Sequence, residues 1–145
     1  MFVLGESDDV LVFARLDLDS WTWSSVTFTG SAPPAISRHT ACVDGAEMIV
    51  FGGVDAASND FLGDIFVFDF ETSVWSQPAL SLPLQPCPRS YHAAWVTRDR
   101  KMVVYGGEAA EGVGDMNKYR SDVFLFDIET RHWLGEVSWL IEKCC

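Results

Sequence analysis

The chain has 145 residues, of which 48% are hydrophobic, and a formal net charge of −11. That apolar share supplies a core, yet no run approaches the roughly 18–20 apolar residues of a membrane span, so a folded domain outside the membrane is expected. The acidic balance works against phosphate backbones, whose binding needs clustered Lys and Arg, so nucleic acid is not an expected partner.

The first nine residues lack a basic region followed by an apolar stretch and a cleavage site, so secretion is not expected. Phe2-Val3-Leu4-Gly5 has the form of an apolar strand closed by glycine. Leu16-Asp17-Leu18-Asp19-Ser20-Trp21-Thr22-Trp23 then lies 52 positions before a similar segment, Phe68 to Trp75. A Pro-rich lead-in, Pro33-Pro34-Ala35-Ile36-Ser37, precedes His39-Thr40-Ala41-Cys42-Val43, a turn at Asp44–Glu47, and the short apolar run Met48 to Phe51 closed by Gly52-Gly53. That run is too brief for a helix and suits a buried, pleated surface. Val54 to Gly63 reads as a loop. Phe66, Phe68 and Phe70 alternate with Val67, Asp69 and Glu71, the period of two that sorts side chains onto the faces of a sheet. Asp69-Phe70-Glu71-Thr72 supplies the small polar residues of a tight turn, and Trp75 begins a return strand.

The same order then repeats. His92 to Val96 matches His39 to Val43 at an offset of 53, and Met102 to Gly107 matches Met48 to Gly53 at 54. Asp122 to Trp133 matches Asp64 to Trp75 at 58. The offset grows at Thr97–Lys101 and at Glu108–Ser121, which predicts surface loops there. Each unit of roughly 50 residues therefore carries four antiparallel strands.

A histidine after a Pro/Arg lead-in, a Gly-Gly doublet, an aspartate-led aromatic strand, a turn and a tryptophan together resemble the kelch repeat. The resemblance covers Phe2 to Val137 and implies an all-β fold, a partial β-propeller of about 2.5 four-stranded blades. Residues 1–32 are the later strands of a partial blade, 33–85 and 86–137 are complete units, and 138–145 are a non-repeat tail. One departure stands out: Pro86-Cys87-Pro88-Arg89-Ser90 carries the family's arginine, whereas the first unit has Ile36 in its place and Arg38 two positions later.

The repeated residues have scaffold roles. Gly52, Gly53, Gly106 and Gly107 allow positive φ and close backbone approach. Trp75 and Trp133 fill the wedge between blades, and Asp69 and Asp127 hold turns. His39 and His92 hold equivalent places, which favours packing and hydrogen bonding over catalysis. His132 reads as exposed variation in the turn before Trp133.

Candidate chemistry is sparse. The sequence has no Gly-x-Ser-x-Gly elbow, phosphate loop or His-Glu-x-x-His. Cys42, Cys87, Cys144 and Cys145 include no Cys-x-x-Cys pair, so neither a disulfide framework nor a zinc site is indicated and a cytoplasmic setting is expected. Asp55, Asp60, Glu108, Glu111 and Asp115 lack EF-hand spacing and read as solvated loop charge. Cys144-Cys145 resembles a dual-prenylation end but reads as an ordinary chain end.

No cofactor, metal or enzymatic activity is expected; the expected function is a protein-interaction module presenting loops to a protein partner. The nominated contacts are Asp55, Asn59, Asp60 and Phe61 in one loop and Met116, Tyr119 and Arg120 in the longer one. The alternatives are part of a metal-dependent kelch-type propeller enzyme or a non-functional remnant. Propellers close with 4–8 blades. The chain is accordingly expected to be a fragment or a truncated product, with self-association through open propeller edges as the competing route to closure.

Overall fold

A computed structural model describes residues 1–79, 84–109 and 118–137, with the backbone alone for Lys118. Glu111, Asp115, Met116 and the tail 138–145 lie outside the described residues.

All described elements are strands, arranged chiefly in three sheets. The first sheet joins β1 (Phe2–Ser7), β2 (Val10–Leu16) and β3 (Trp23–Ser25) in that order. β1 and β2 are linked through Asp8 and Asp9, both at positive φ. Gly5 is paired with Val12 in mid-strand, so it does not close the strand as the sequence had led us to expect.

Three short strands follow: β4 (Thr29–Gly30), β5 (Ile36–Ser37) and β6 (Thr40–Asp44). The middle sheet is then built from β6, β7 (Glu47–Phe51), β9 (Ile65–Asp69) and β10 (Val74–Ser76), all antiparallel, with β4 added parallel to β10 at the edge. β8 (Val54–Asp55) pairs with β5, so the predicted loop Val54–Gly63 contains a short strand.

The third sheet repeats the plan with β12 (Ala93–Val96), β13 (Lys101–Ala109), β14 (Lys118–Asp127) and β15 (His132–Glu136), while β11 (Arg89–Ser90) pairs with the far end of β13. Here Gly106-Gly107 does not end the strand. β13 passes through the doublet as a bulge and pairs on, Glu108 opposite Tyr119 and Ala109 opposite Lys118. The predicted loop Glu108–Ser121 is therefore strand at both ends. His132 likewise lies in β15, paired with Asp127, and not in the turn.

The register confirms the repeat at residue level. Leu16 pairs with Trp23, Phe68 with Trp75 and Phe126 with Trp133. Alternation sorts the middle sheet into two buried faces. Met48, Val50, Phe66, Phe68 and Trp75 pack toward Phe2, Leu4 and Phe13 of the first sheet. Ile49, Phe51, Ile65 and Val67 pack toward Met102, Val104, Phe126 and Trp133 of the third. Trp75 lies 5.5 Å from the ring of Phe13, and Trp133 lies 5.1 Å from that of Phe51. Each tryptophan thus fills the gap between neighbouring sheets at their outer side. At the inner side β6 and β12 approach each other directly. These are successive blades of a partial propeller.

Candidate interaction surface

A polar joint fixes how the middle and third blades meet. The Gly53 N–H donates to the Arg89 carbonyl at 2.8 Å, and the Arg89 N–H donates to the Leu62 carbonyl at 3.0 Å. The joint leaves no room for a side chain at Gly52: a Cβ there would lie 2.6 Å from the Arg89 carbonyl oxygen of the next blade, and φ is 65°. The second glycine of each doublet is confined within its own blade: a Cβ on Gly53 would lie 2.7 Å from the Ser37 carbonyl oxygen and one on Gly107 2.5 Å from that of Ser90, at φ 102° and 94°. The imidazole of His92 is buried in the joint and shares a 2.7 Å hydrogen bond with the Thr40 hydroxyl of the preceding blade. Burial, reinforced by the Arg89 charge, pulls the His92 pKa down to about 4. Burial lowers His39 as well.

Arg89 is fully buried beneath the joint. Its Nη1 donates to Asp122 at 2.6 Å and to the Gly106 carbonyl at 2.9 Å, its Nη2 donates to Asp122 at 3.0 Å, and its Nε donates to the Cys87 carbonyl at 3.1 Å. Fork geometry of this kind is what a guanidinium does best. In the middle blade Ile36 fills the equivalent position with no exposure, and Asp64, the counterpart of Asp122, accepts from Gln77 Nε2 at 2.9 Å. Arg38 does not stand in for the missing arginine.

Arg38 instead stands on the rim. It and Tyr91 precede the two repeated histidines and occupy equivalent positions, and both adopt left-handed backbone, at φ 58° and 54°. Bulky residues seldom accept that conformation. The Tyr91 N–H donates to the Arg38 carbonyl at 3.2 Å, and the Arg38 guanidinium carbon lies 5.1 Å above the Tyr91 ring centroid. Around them opens a cleft of about 300 Å³ lined by Arg38, Val54, Asn59, Phe61, Tyr91 and Glu108. It straddles two blades at the end where β7 finishes and β9 begins.

Of the nominated contacts, Asn59 and Phe61 line this cleft. Asp55 Oδ1 is engaged by the Ala57 N–H at 2.8 Å, within its own turn. Asp60 is exposed in the same loop. Tyr119 and Arg120 sit on β14, opposite Glu108 and Gly107; Tyr119 is 86% exposed. Sequence reasoning missed Arg38 and Tyr91 as a pair. Their only signal was two large, dissimilar residues at equivalent positions directly before the repeated histidines His39 and His92. Among the described residues no group of three or more His, Cys, Asp or Glu side chains is arranged to hold a metal.

Comparison with known proteins assigns this architecture. A family profile described as the KLHDC2/KLHL20/DRC7 Kelch-repeats domain matches residues 5–138. Adagio protein 3 of Arabidopsis thaliana is 34% identical over 125 residues, 85% of this chain and 19% of that protein. Acyl-CoA-binding domain-containing protein 5 of Arabidopsis thaliana is 31% identical over 129 residues, 88% of this chain and 18% of that protein. Kelch domain-containing protein 3 of Bos taurus is 31% identical over 127 residues, 85% of this chain and 32% of that protein. The chain spans a third or less of the length of each of these relatives.

Proposed function

The chain belongs to the kelch-repeat family, and on that premise we propose that it is a protein-interaction module that binds a protein partner at the cleft between its middle and third blades. The observation that carries this reading is the Arg38–Tyr91 stack. Two adjacent blades hold bulky residues in left-handed backbone at the rim, and strain of this kind is retained where function uses it. A cation, an exposed aromatic ring, Asn59, Phe61 and Glu108 give the cleft both apolar area and directional polar groups, the mixture that anchors protein interfaces.

The net charge of −11 supports a protein partner over nucleic acid. Kelch domains serve generally as interaction scaffolds, and His92, a residue a metal-dependent enzyme would draw on, is already committed to Thr40. We place the protein in the cytosol, where Cys42 and Cys87 stay as free thiols. Recovery of a tagged chain mainly from an exported fraction would overturn that placement.

Selection of displayed peptides on the immobilised chain tests the binding site. Enriched peptides are expected to lose at least about tenfold in affinity for Tyr91→Ala or Phe61→Ala, the range of an interface anchor. Peptides that bind both variants as tightly as the unaltered chain would rule out this cleft.

A further inference from the structure

Glu108 lines the cleft from the third blade, half-buried, and among the described residues its carboxylate has no ion pair and no side-chain hydrogen bond. A carboxylate partly withdrawn from water without a partner is held at a cost that an incoming cation relieves. The strands around it decide what else such a cation would meet. Glu108 stands on β13 between Ser90 of β11 and Tyr119 of β14. Residues directly opposite on paired strands share a face, their Cβ atoms about 4.5–5.5 Å apart, so Tyr119 stands beside the carboxylate. On the other side the chain leaves β11 at Tyr91, whose ring lines the same cleft.

Both rings are accessible. Tyr91 is 61% exposed and Tyr119 86%, and Tyr119 makes no ring contact among the described residues. Two tyrosines about a carboxylate make the surroundings a cationic side chain prefers, because the ring faces and the carboxylate all attract positive charge. The chain itself supplies the precedent, since Arg38 already lies over the Tyr91 ring. Arg38 forms no ion pair with Glu108, however, and so leaves the carboxylate open to an outside cation. Val54 and Phe61 on the apolar side of the cleft suit the methylene stem that a lysine or arginine carries. Asp60, exposed between Asn59 and Phe61, and the net charge of −11 add attraction at longer range.

We propose that the cleft takes a basic side chain, an arginine or lysine projecting from the protein partner, with its charge on Glu108 beside the rings of Tyr91 and Tyr119 and its stem on Phe61 and Val54. This recognition rests on the cleft being the binding site proposed above, and it adds what the partner must carry. It also gives Tyr119, which lies outside the lining of the cleft proper, a place in the contact.

Peptides selected by display on the full chain, then synthesised with both ends blocked so that only side chains carry positive charge, supply the test. Enriched sequences are expected to share an arginine or lysine, and replacing it by glutamine should weaken binding about tenfold or more, the scale of an interface anchor. Glu108→Gln should weaken the original peptide by a similar factor and the glutamine peptide little further, as expected of two groups that act on each other. Glu108→Lys should reject the original peptide and accept one with glutamate in the basic position. Tyr119→Ala should also weaken the original peptide, and it replaces the Glu108 variants if far-UV circular dichroism shows that they fail to fold. Peptides that lose affinity for Tyr91→Ala but are indifferent to their own basic residue and to Glu108→Gln overturn the basic side chain while the cleft stands as the binding site. Peptides that need a basic residue yet bind Tyr91→Ala, Tyr119→Ala and Glu108→Gln like the unaltered chain overturn it together with the cleft. Enrichment of sequences that share no basic residue overturns it as well.

Discussion

Arg89 and Ile36 occupy the same position in consecutive blades and solve the same problem in opposite ways. The arginine satisfies Asp122, the Gly106 carbonyl and the Cys87 carbonyl at once, whereas the isoleucine fills the space and leaves Asp64 to Gln77. A buried ion pair is weak evidence for stability, but removing one partner leaves the other uncompensated. Arg89→Ala is therefore expected to destabilise the chain by about 3–5 kcal/mol. Arg89→Ile with Asp122→Asn, which joins the middle blade's apolar filler to an uncharged partner, should recover most of that loss; urea denaturation of the three proteins checks the order. His92 supplies a second expectation. Its folded pKa of about 4 lies below the ordinary 6.5, so the unfolded chain binds the proton more readily between those values. Stability from this group is complete above pH 6.5 and is lost as the pH falls through the window to 4, on the order of 3 kcal/mol in all. Carboxylates also titrate there, so the measurement is the difference between the native chain and His92→Gln in urea midpoint against pH. The native curve should fall more steeply, and parallel curves would show that His92 does not carry the effect.

The elements were legible wherever packing imposes periodicity. Ile65 to Phe68 form an unbroken apolar run because β9 is squeezed between two sheets and buried on both faces, and the Asp-led turns were visible because the carboxylate does the same work each time. Asp17, Asp69 and Asp127 each accept backbone N–H groups two and three residues on, and the hydrogen bond from the Thr130 N–H, aided by Lys101, holds the Asp127 carboxyl at about 2. Where pairing brings little burial, the sequence was silent. The ladder from Gly107 to Ala109 against Lys118 to Arg120 includes polar residues with no apolar alternation, so it looked like loop. The bulge at Gly106-Gly107 looked like a strand end for a related reason: glycine doublets permit both outcomes, and backbone hydrogen bonding decides. The cleft was the least legible feature. It depends on left-handed backbone at Arg38 and Tyr91, which has no signature in those residue types, and it joins residues 53 positions apart that meet only once two blades are docked.

At the scale of the molecule, stability follows neighbours more than any single core. In stacked repeats each unit draws stability from the units beside it, so a unit flanked on both sides opens least. The middle sheet alone among the three described sheets is covered on both faces, with Ile49, Val50, Phe51 and Ile65 wholly buried, whereas β1 to β3 form a three-stranded sheet covered on one. Native-state hydrogen exchange should therefore find β7 and β9 slowest and β1 and β2 faster by at least about tenfold. The third sheet should fall between, because five strands and the Arg89 joint support the face that packs on the middle sheet. Uniform exchange across the three sheets would mean that the chain opens as one cooperative unit, contrary to this neighbour-by-neighbour view.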